Sequence, residues 1–209
     1  MIKTDLLSRQ NMSLEGQSAE QLISKARTLR SQGNNKKAIE TYRQALTLQP
    51  ENLDVLNEMG LAHIHIGEQS DAIIAFDLAI SISPKDYRGH SNKAEAYLTT
   101  GSFDEADAAA SAGLKYIPTS AELWIKKARA LESLLKIQEA VEAYNEALKY
   151  QSDNPETWKA LALCLDAQEK WIAVARAYRI AAGLHEKRGE MQDADSCMKF
   201  AKMAEDSES

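Results

Sequence analysis

Basic excess is missing from this 209-residue chain, which carries 25 Lys and Arg against 31 Asp and Glu for a net charge of -6. That balance argues against a nucleic-acid partner, since binding phosphate demands a basic face. Two cysteines provide no disulfide framework, and a reducing, cytoplasmic compartment is the expectation. No apolar run approaches the ~18 residues of a membrane span. The first ten residues hold Asp5 and only the Leu6-Leu7 pair as an apolar centre, unlike a secretory signal. Also absent are a phosphate-cradling glycine loop, a nucleophile elbow and cysteines paired at metal spacing. These absences predict no catalysis, cofactor, metal, membrane or nucleic acid. His63 and His65 form a His-x-His pair, but on a helix residues two apart face different ways. His63 is therefore read as a packed core histidine, and His90 likewise.

Proline is scarce too, and three of the four, Pro50, Pro84 and Pro118, lie 34 residues apart. A fixed period of this length signals stacked repeats. In the frames 19–52, 53–86, 87–120, 121–154 and 155–188, the eighth place holds Ala26, Gly60, Ala94, Ala128 and Ala162. The twenty-seventh holds Ala45, Ala79, Gly113, Ala147 and Ala181. Within a frame, Leu53, Leu56, Gly60 and His63 recur at helical spacing, Gly67 interrupts, and Ala72, Phe76, Ala79 and Ile80 restart the pattern. Each frame is thus expected to be two amphipathic helices around a short turn, with small residues allowing close helix approach. Proline then stops the second helix.

The pattern resembles the tetratricopeptide repeat, whose signature is Trp-x2-Leu-Gly-x2-Tyr, Ala-x3-Phe and Pro. The second frame shows Leu56, Met59, Gly60, His63, Ala72, Phe76 and Pro84 at those places, and Trp124 and Trp158 take the tryptophan place in the fourth and fifth. The resemblance implies an all-α, right-handed α-solenoid (a superhelix) of about five helix pairs. Residues 189–209, with Met191, Ala194, Met198 and Ala201 in helical register, are expected to form a capping helix and frayed tail. Residues 1–18 are expected to be a polar, partly disordered leader, with a short contact through Leu6 and Leu7. The departures from the pattern matter. The third frame has His90 in the tryptophan place and Ala110 for the large aromatic, and Gly113 thins the same helix. It is expected to be the weakest link. The fourth and fifth lack the turn glycine (Leu135 and Glu169) and the closing proline. Prolines end only the first three frames and tryptophans mark the last two, which divides the array near residue 120.

The family resemblance also implies that the first helix of each pair lines a concave, partner-binding side. A chaperone-type carboxylate clamp is disfavoured there, because Glu58 and Glu122 fall at clamp places with the wrong sign. The remaining polar stretch, Asn57, Arg88, Asn92, Lys126, Arg129 and Lys159, is the expected site for a peptide or protein partner. Its amides suit a peptide backbone and its cations an acidic group. The competing reading is local ion pairing, which is common on surfaces and individually weak. A second function class is self-assembly into a homo-oligomer through the array ends or the methionine-bearing last helix (Met191, Met198, Met203).

Overall fold

A computed structural model describes residues 17–208. The leader expected at 1–18 therefore lies outside the described residues except for Gln17 and Ser18, and so do Leu6 and Leu7. Among the described residues the regular structure is eleven helices and no strand. They are α1 Ala19–Ser31, α2 Asn35–Leu48, α3 Leu53–His65, α4 Gln69–Ile82, α5 Tyr87–Thr99, α6 Phe103–Leu114, α7 Ala121–Ser133, α8 Ile137–Tyr150, α9 Pro155–Asp166, α10 Trp171–Lys187 and α11 Met191–Glu208. The odd-numbered helices from α1 to α9 each start 34 residues after the last, and the even-numbered ones from α2 to α10 do the same.

Local chemistry sets both ends of each pair. First helices are capped by side chains: Ser18 accepts from the Gln21 N–H in a capping box, Asn52 from Val55, Ser120 from Leu123 and Asn154 from Glu156. Second helices follow a left-handed turn residue. Gly33, Gly67 and Gly101 supply it at φ of 76 to 79° in the first three pairs. In the fourth and fifth, Leu135 and Glu169 adopt the same conformation at φ 60 and 57° despite their side chains. The turn thus survives the loss of its glycine. One hydrogen bond marks it in every pair: the N–H of Asn34, Glu68, Ser102, Lys136 and Lys170 donates to the carbonyl five residues earlier.

The same turn occurs a sixth time. Gly189 sits at φ 76°, and the Glu190 N–H donates to the His185 carbonyl at 3.0 Å. In a frame over 175–208, Tyr178, Ala182, His185, Gly189, Ala194, Met198 and Ala201 take the places of Leu56, Gly60, His63, Gly67, Ala72, Phe76 and Ala79. Helix α10 therefore serves twice, as the second helix of the fifth pair and the first of an overlapping sixth. That double duty explains its 17 residues, where the other second helices have 12 to 14.

The described residues divide into two compact units, 17–96 and 97–208. The division falls inside α5, not near residue 120 as the proline and tryptophan pattern suggested. The third pair buries Gly89, His90, Ser91, Ala94 and Ala96 on α5 and Ala106, Ala109, Ala110 and Gly113 on α6. In the first unit, Leu22, Ala26, Tyr42 and Val55 form one core cluster and Ala72, Phe76 and Ala96 another. In the second, one apolar core runs from Ala128 on α7 to Ala204 on α11.

Candidate functional site

The first helices carry the expected partner-binding residues, three in each unit. In the first unit, Asn57 on α3 is buried, and its amide Nδ2 donates to the Leu53 carbonyl at 2.9 Å. Asn92 on α5 is half-buried and donates its own Nδ2 to Asn57 Oδ1 at 2.9 Å. The two amides therefore stack from one pair to the next. Asn57 anchors, while Asn92 retains an amide oxygen and a second N–H with no partner among the described residues. Arg88 grips Asp86 through Nε and Nη2 (2.6 to 3.1 Å) and reaches Asp54 Oδ1 through Nη1 at 2.5 Å. Hydrogen bonds from the Arg88 side chain hold the Asp86 carboxyl below its usual range despite burial. Those bonds, first to Asp86 and then to Asp54, push the guanidinium in the opposite direction. Arg88 is thus a link between neighbouring pairs.

Glu58, which the sequence flagged as hostile to a ligand carboxylate, has a partner of its own. Arg27 forks onto it, with Nε at 2.9 and 3.0 Å and Nη2 at 2.7 Å, and the Tyr42 hydroxyl donates to Oε2 at 2.7 Å. Burial raises the Glu58 pKa, but the bonds from Arg27 and Tyr42 and the arginine charge outweigh it, leaving the carboxyl below its ordinary value. The same bonds make Glu58 a structural clasp between α1, α2 and α3.

In the second unit, Lys159 on α9 contacts Glu156 one turn earlier at 3.0 to 3.1 Å. Arg129 on α7 stands at the wall of an open groove of about 490 Å³. Its other walls are Glu132, Leu135 and Ile137 on one side and Leu163 and Cys164 on the other. Leu135 is 82 % exposed and Leu163 55 %, so the groove offers apolar surface beside a guanidinium. Glu132 accepts from the buried Tyr144 hydroxyl at 2.8 Å. Burial, helped by the Glu132 charge, pushes the Cys164 thiol up to about 12, so it is a packed neutral group and not a nucleophile. Lys126 lies one turn before Ala130 on the same helix. Arg129 is among the partner-binding positions expected from the sequence. Sequence reasoning missed Leu135, whose turn placement becomes visible only once the missing glycine is known to leave the turn intact.

The histidines do structural work. His90 Nε2 lies 3.1 Å from the Pro84 carbonyl, and Trp124 and Trp158 donate indole N–H to the carbonyls of Pro118 and Ser152, both at 2.9 Å. Each bond spans six residues, so His90 replaces tryptophan in contact as well as in place. Only a ring carrying its proton on Nε2 can donate here, and burial lowers the His90 pKa. His63 and His185 meet Glu68 and Glu190 through Nδ1, both at 2.7 Å, across corresponding turns. With Asp71 and Asp193 they form two groups whose ligand-type atoms lie within 4.8 Å of one another, the donor types a divalent cation takes. Both share the spacing His-x3-Gly-Glu-x2-Asp, which places Glu immediately before the following helix and Asp in its first turn. The imidazole–carboxylate bond closes that turn.

Family models for the TPR repeat match residues 26–67, and models for the tetratricopeptide repeat match 53–86 and 125–171. The chain belongs to the tetratricopeptide-repeat family. No curated protein matches it in sequence. Among solved structures, a MamA protein is similar at 17 % identity and a TM-score of 0.68, over 82 % of this chain and 94 % of that one. The tetratricopeptide-repeat protein TTC0263 of Thermus thermophilus is also 17 % identical, with a TM-score of 0.65 over 89 % of this chain and 100 % of its own. Pseudomonas aeruginosa pilF is 15 % identical with a TM-score of 0.65, over 86 % and 88 %. At such identities the likeness concerns the fold, an all-α solenoid of repeated helix pairs. No described helix of this repeat protein is long and apolar enough to cross a membrane.

Proposed function

We propose that this repeat protein is a non-enzymatic interaction scaffold whose first-helix faces bind a peptide segment of a protein partner. The groove between α7 and α9 carries the reading. Two exposed leucines, Leu135 and Leu163, flank a cavity of about 490 Å³ bordered by Arg129. That combination suits a segment presenting an apolar side chain next to an acidic group, with Lys126 and Lys159 adding positive charge on the same two helices. In the first unit, Asn92 offers the donor and acceptor that a peptide backbone requires, while Asn57 fixes its orientation and Arg88 braces α5 against α3. The reading supports no clamp for a chain-terminal carboxylate, because Glu58 already holds Arg27.

Peptides selected from a random library on the full chain supply the probe, with affinity measured by fluorescence polarisation. Leu163→Asp and Arg129→Glu are each expected to weaken binding about tenfold or more, the size of a groove anchor. Asn92→Ala combined with Lys126→Ala should weaken it less. Unchanged affinity in all three variants, with helicity intact, removes the groove from the function.

A further inference from the structure

A second groove, of about 400 Å³, opens between α10 and α11. Its walls carry opposite charge. Arg176 and Arg179 stand on α10, Glu205 and Glu208 on α11, and Ile172 lies at one end. Arg179 pairs with Glu205 within the chain. No ion pair is recorded for Arg176 or Glu208 among the described residues. Ile172 is 71 % exposed. Met198, also exposed, lies seven residues before Glu205 and so extends the same face of α11 with apolar surface. The α10–α11 pair thus presents a groove with a cationic wall, an anionic wall and exposed apolar surface at its Ile172 end.

We infer that this surface is the interface of a homodimer, its occupant a second copy of the same hairpin. The charge arrangement selects that partner. An acidic segment laid in the groove would meet Glu205 and Glu208, and a basic one Arg176 and Arg179. A copy related by a two-fold axis sets the Glu208 edge of each chain against the Arg176 edge of the other, twice, because a two-fold interface is made of one self-complementary patch. Ile172 at one end of the groove and Met198 further along α11 add exposed apolar surface beside those edges, which such an interface would cover. The inference does not rest on the peptide-binding reading. It uses α10 and α11, whereas the peptide groove uses α7 and α9, and each can fail alone.

Sedimentation velocity of the full chain over a wide concentration range tests the proposal. The parent is expected to show a concentration-dependent dimer. Arg176→Glu alone and Glu208→Arg alone should each weaken it about tenfold or more, and the two together should restore it. Ile172→Asp, at an exposed site that does not threaten folding, should weaken it as well, with far-UV circular dichroism unchanged. A parent that stays monomeric throughout overturns the proposal. So does a dimer indifferent to both single reversals and to Ile172→Asp, or a double reversal as weak as either single one.

Discussion

The first and second units build the same helix pair with different materials. Up to Ala96 the pairs turn on glycine, and their neighbouring first helices are cross-linked by polar side chains: Arg27 to Glu58, Arg88 to Asp54, Asn92 to Asn57. From the fourth pair on, the turns hold Leu135 and Glu169 in a conformation that costs non-glycine residues about 1 kcal/mol. There a continuous apolar core joins α7 through α11. The first unit therefore owes more of its order to directional bonds, which are specific in register and sensitive to pH. The second owes more to area removed from water, which absorbs local backbone strain.

The largest expected effect is at Gly60. A Cβ there would lie 2.3 Å from Phe76 Cε1 and under 3 Å from two more ring atoms, and Phe76 is fully buried with nowhere to turn. Gly60→Leu should therefore cost the first unit at least ~3 kcal/mol by overpacking, and even Gly60→Ala ~1–3 kcal/mol. All three tryptophans, Trp124, Trp158 and Trp171, belong to the second unit. Hydrogen exchange should show protection lost in α3 and α4, while the tryptophan fluorescence of the native baseline stays put. Equal loss of protection in α8 to α10 would show that the two units do not differ in the way argued.

Acid sharpens the same contrast. Glu58 and Asp86 have lowered carboxyl pKa values and His90 a lowered imidazole pKa, all in the first unit. A folded-state pKa below the unfolded one gives stability that is present above the unfolded value and lost as pH falls through the folded one. For His90 the loss begins below its ordinary value of 6.5, and for the carboxyls below 4.5 and 3.8. Acidification is expected to reduce helical circular dichroism before tryptophan fluorescence shifts. Glu58→Gln, which keeps the shape and removes the charge from its hydrogen bonds, should cost ~1–2 kcal/mol at neutral pH and flatten the acid limb. Coincident transitions by the two probes would contradict the assignment of acid sensitivity to the first unit.

Much of this was legible in the chain, and the reasons differ residue by residue. The helix pairs follow from small residues at fixed places, because Gly60 and Ala128 answer a steric demand that recurs with the backbone. His90 was read correctly as a core residue, yet its bond to the Pro84 carbonyl was not. That bond depends on a ring nitrogen reaching the place of an indole N–H, which no spacing reveals. The overlapping sixth frame escaped the 34-residue register because it begins 20 residues after the fifth. The division inside α5 was obscured for another reason: prolines and tryptophans are conspicuous punctuation of the repeat, and repeat punctuation does not mark where compact units divide. At the site, the sequence placed charge along the first helices. Which of those charges are held by neighbours depends on side-chain geometry, as Arg88 and Glu58 show.

The strained turns offer a change in the opposite direction. Leu135→Gly and Glu169→Gly should each stabilise the second unit by ~1 kcal/mol, since the backbone is already left-handed and glycine adopts it without a Cβ conflict. Greater freedom of glycine in the unfolded chain offsets part of this. Leu135 also borders the groove proposed for a peptide, so its replacement should raise the thermal midpoint and, on that proposal, weaken peptide binding. Glu169 lies outside that groove and should raise the midpoint alone. A midpoint lowered in both variants would mean that the turns are held by their side chains.

Gly183 on α10 carries the smallest expected effect and the cleanest contrast with Gly60. Both glycines lie in helices, but a Cβ on Gly183 would meet nothing within 4 Å. With the steric reason gone, only backbone entropy and helix propensity remain, and both favour alanine. Gly183→Ala should stabilise the second unit by ~0.5–1 kcal/mol. The same substitution thus has opposite signs at two helical glycines, because one lies under a phenylalanine ring and the other faces open space. Chemical denaturation followed by tryptophan fluorescence reads the gain directly. A loss there would place an unseen neighbour over Gly183, which on this face of α10 would be most simply the second copy of the chain, and repeating the measurement with Ile172→Asp in the background would then convert the loss into a gain.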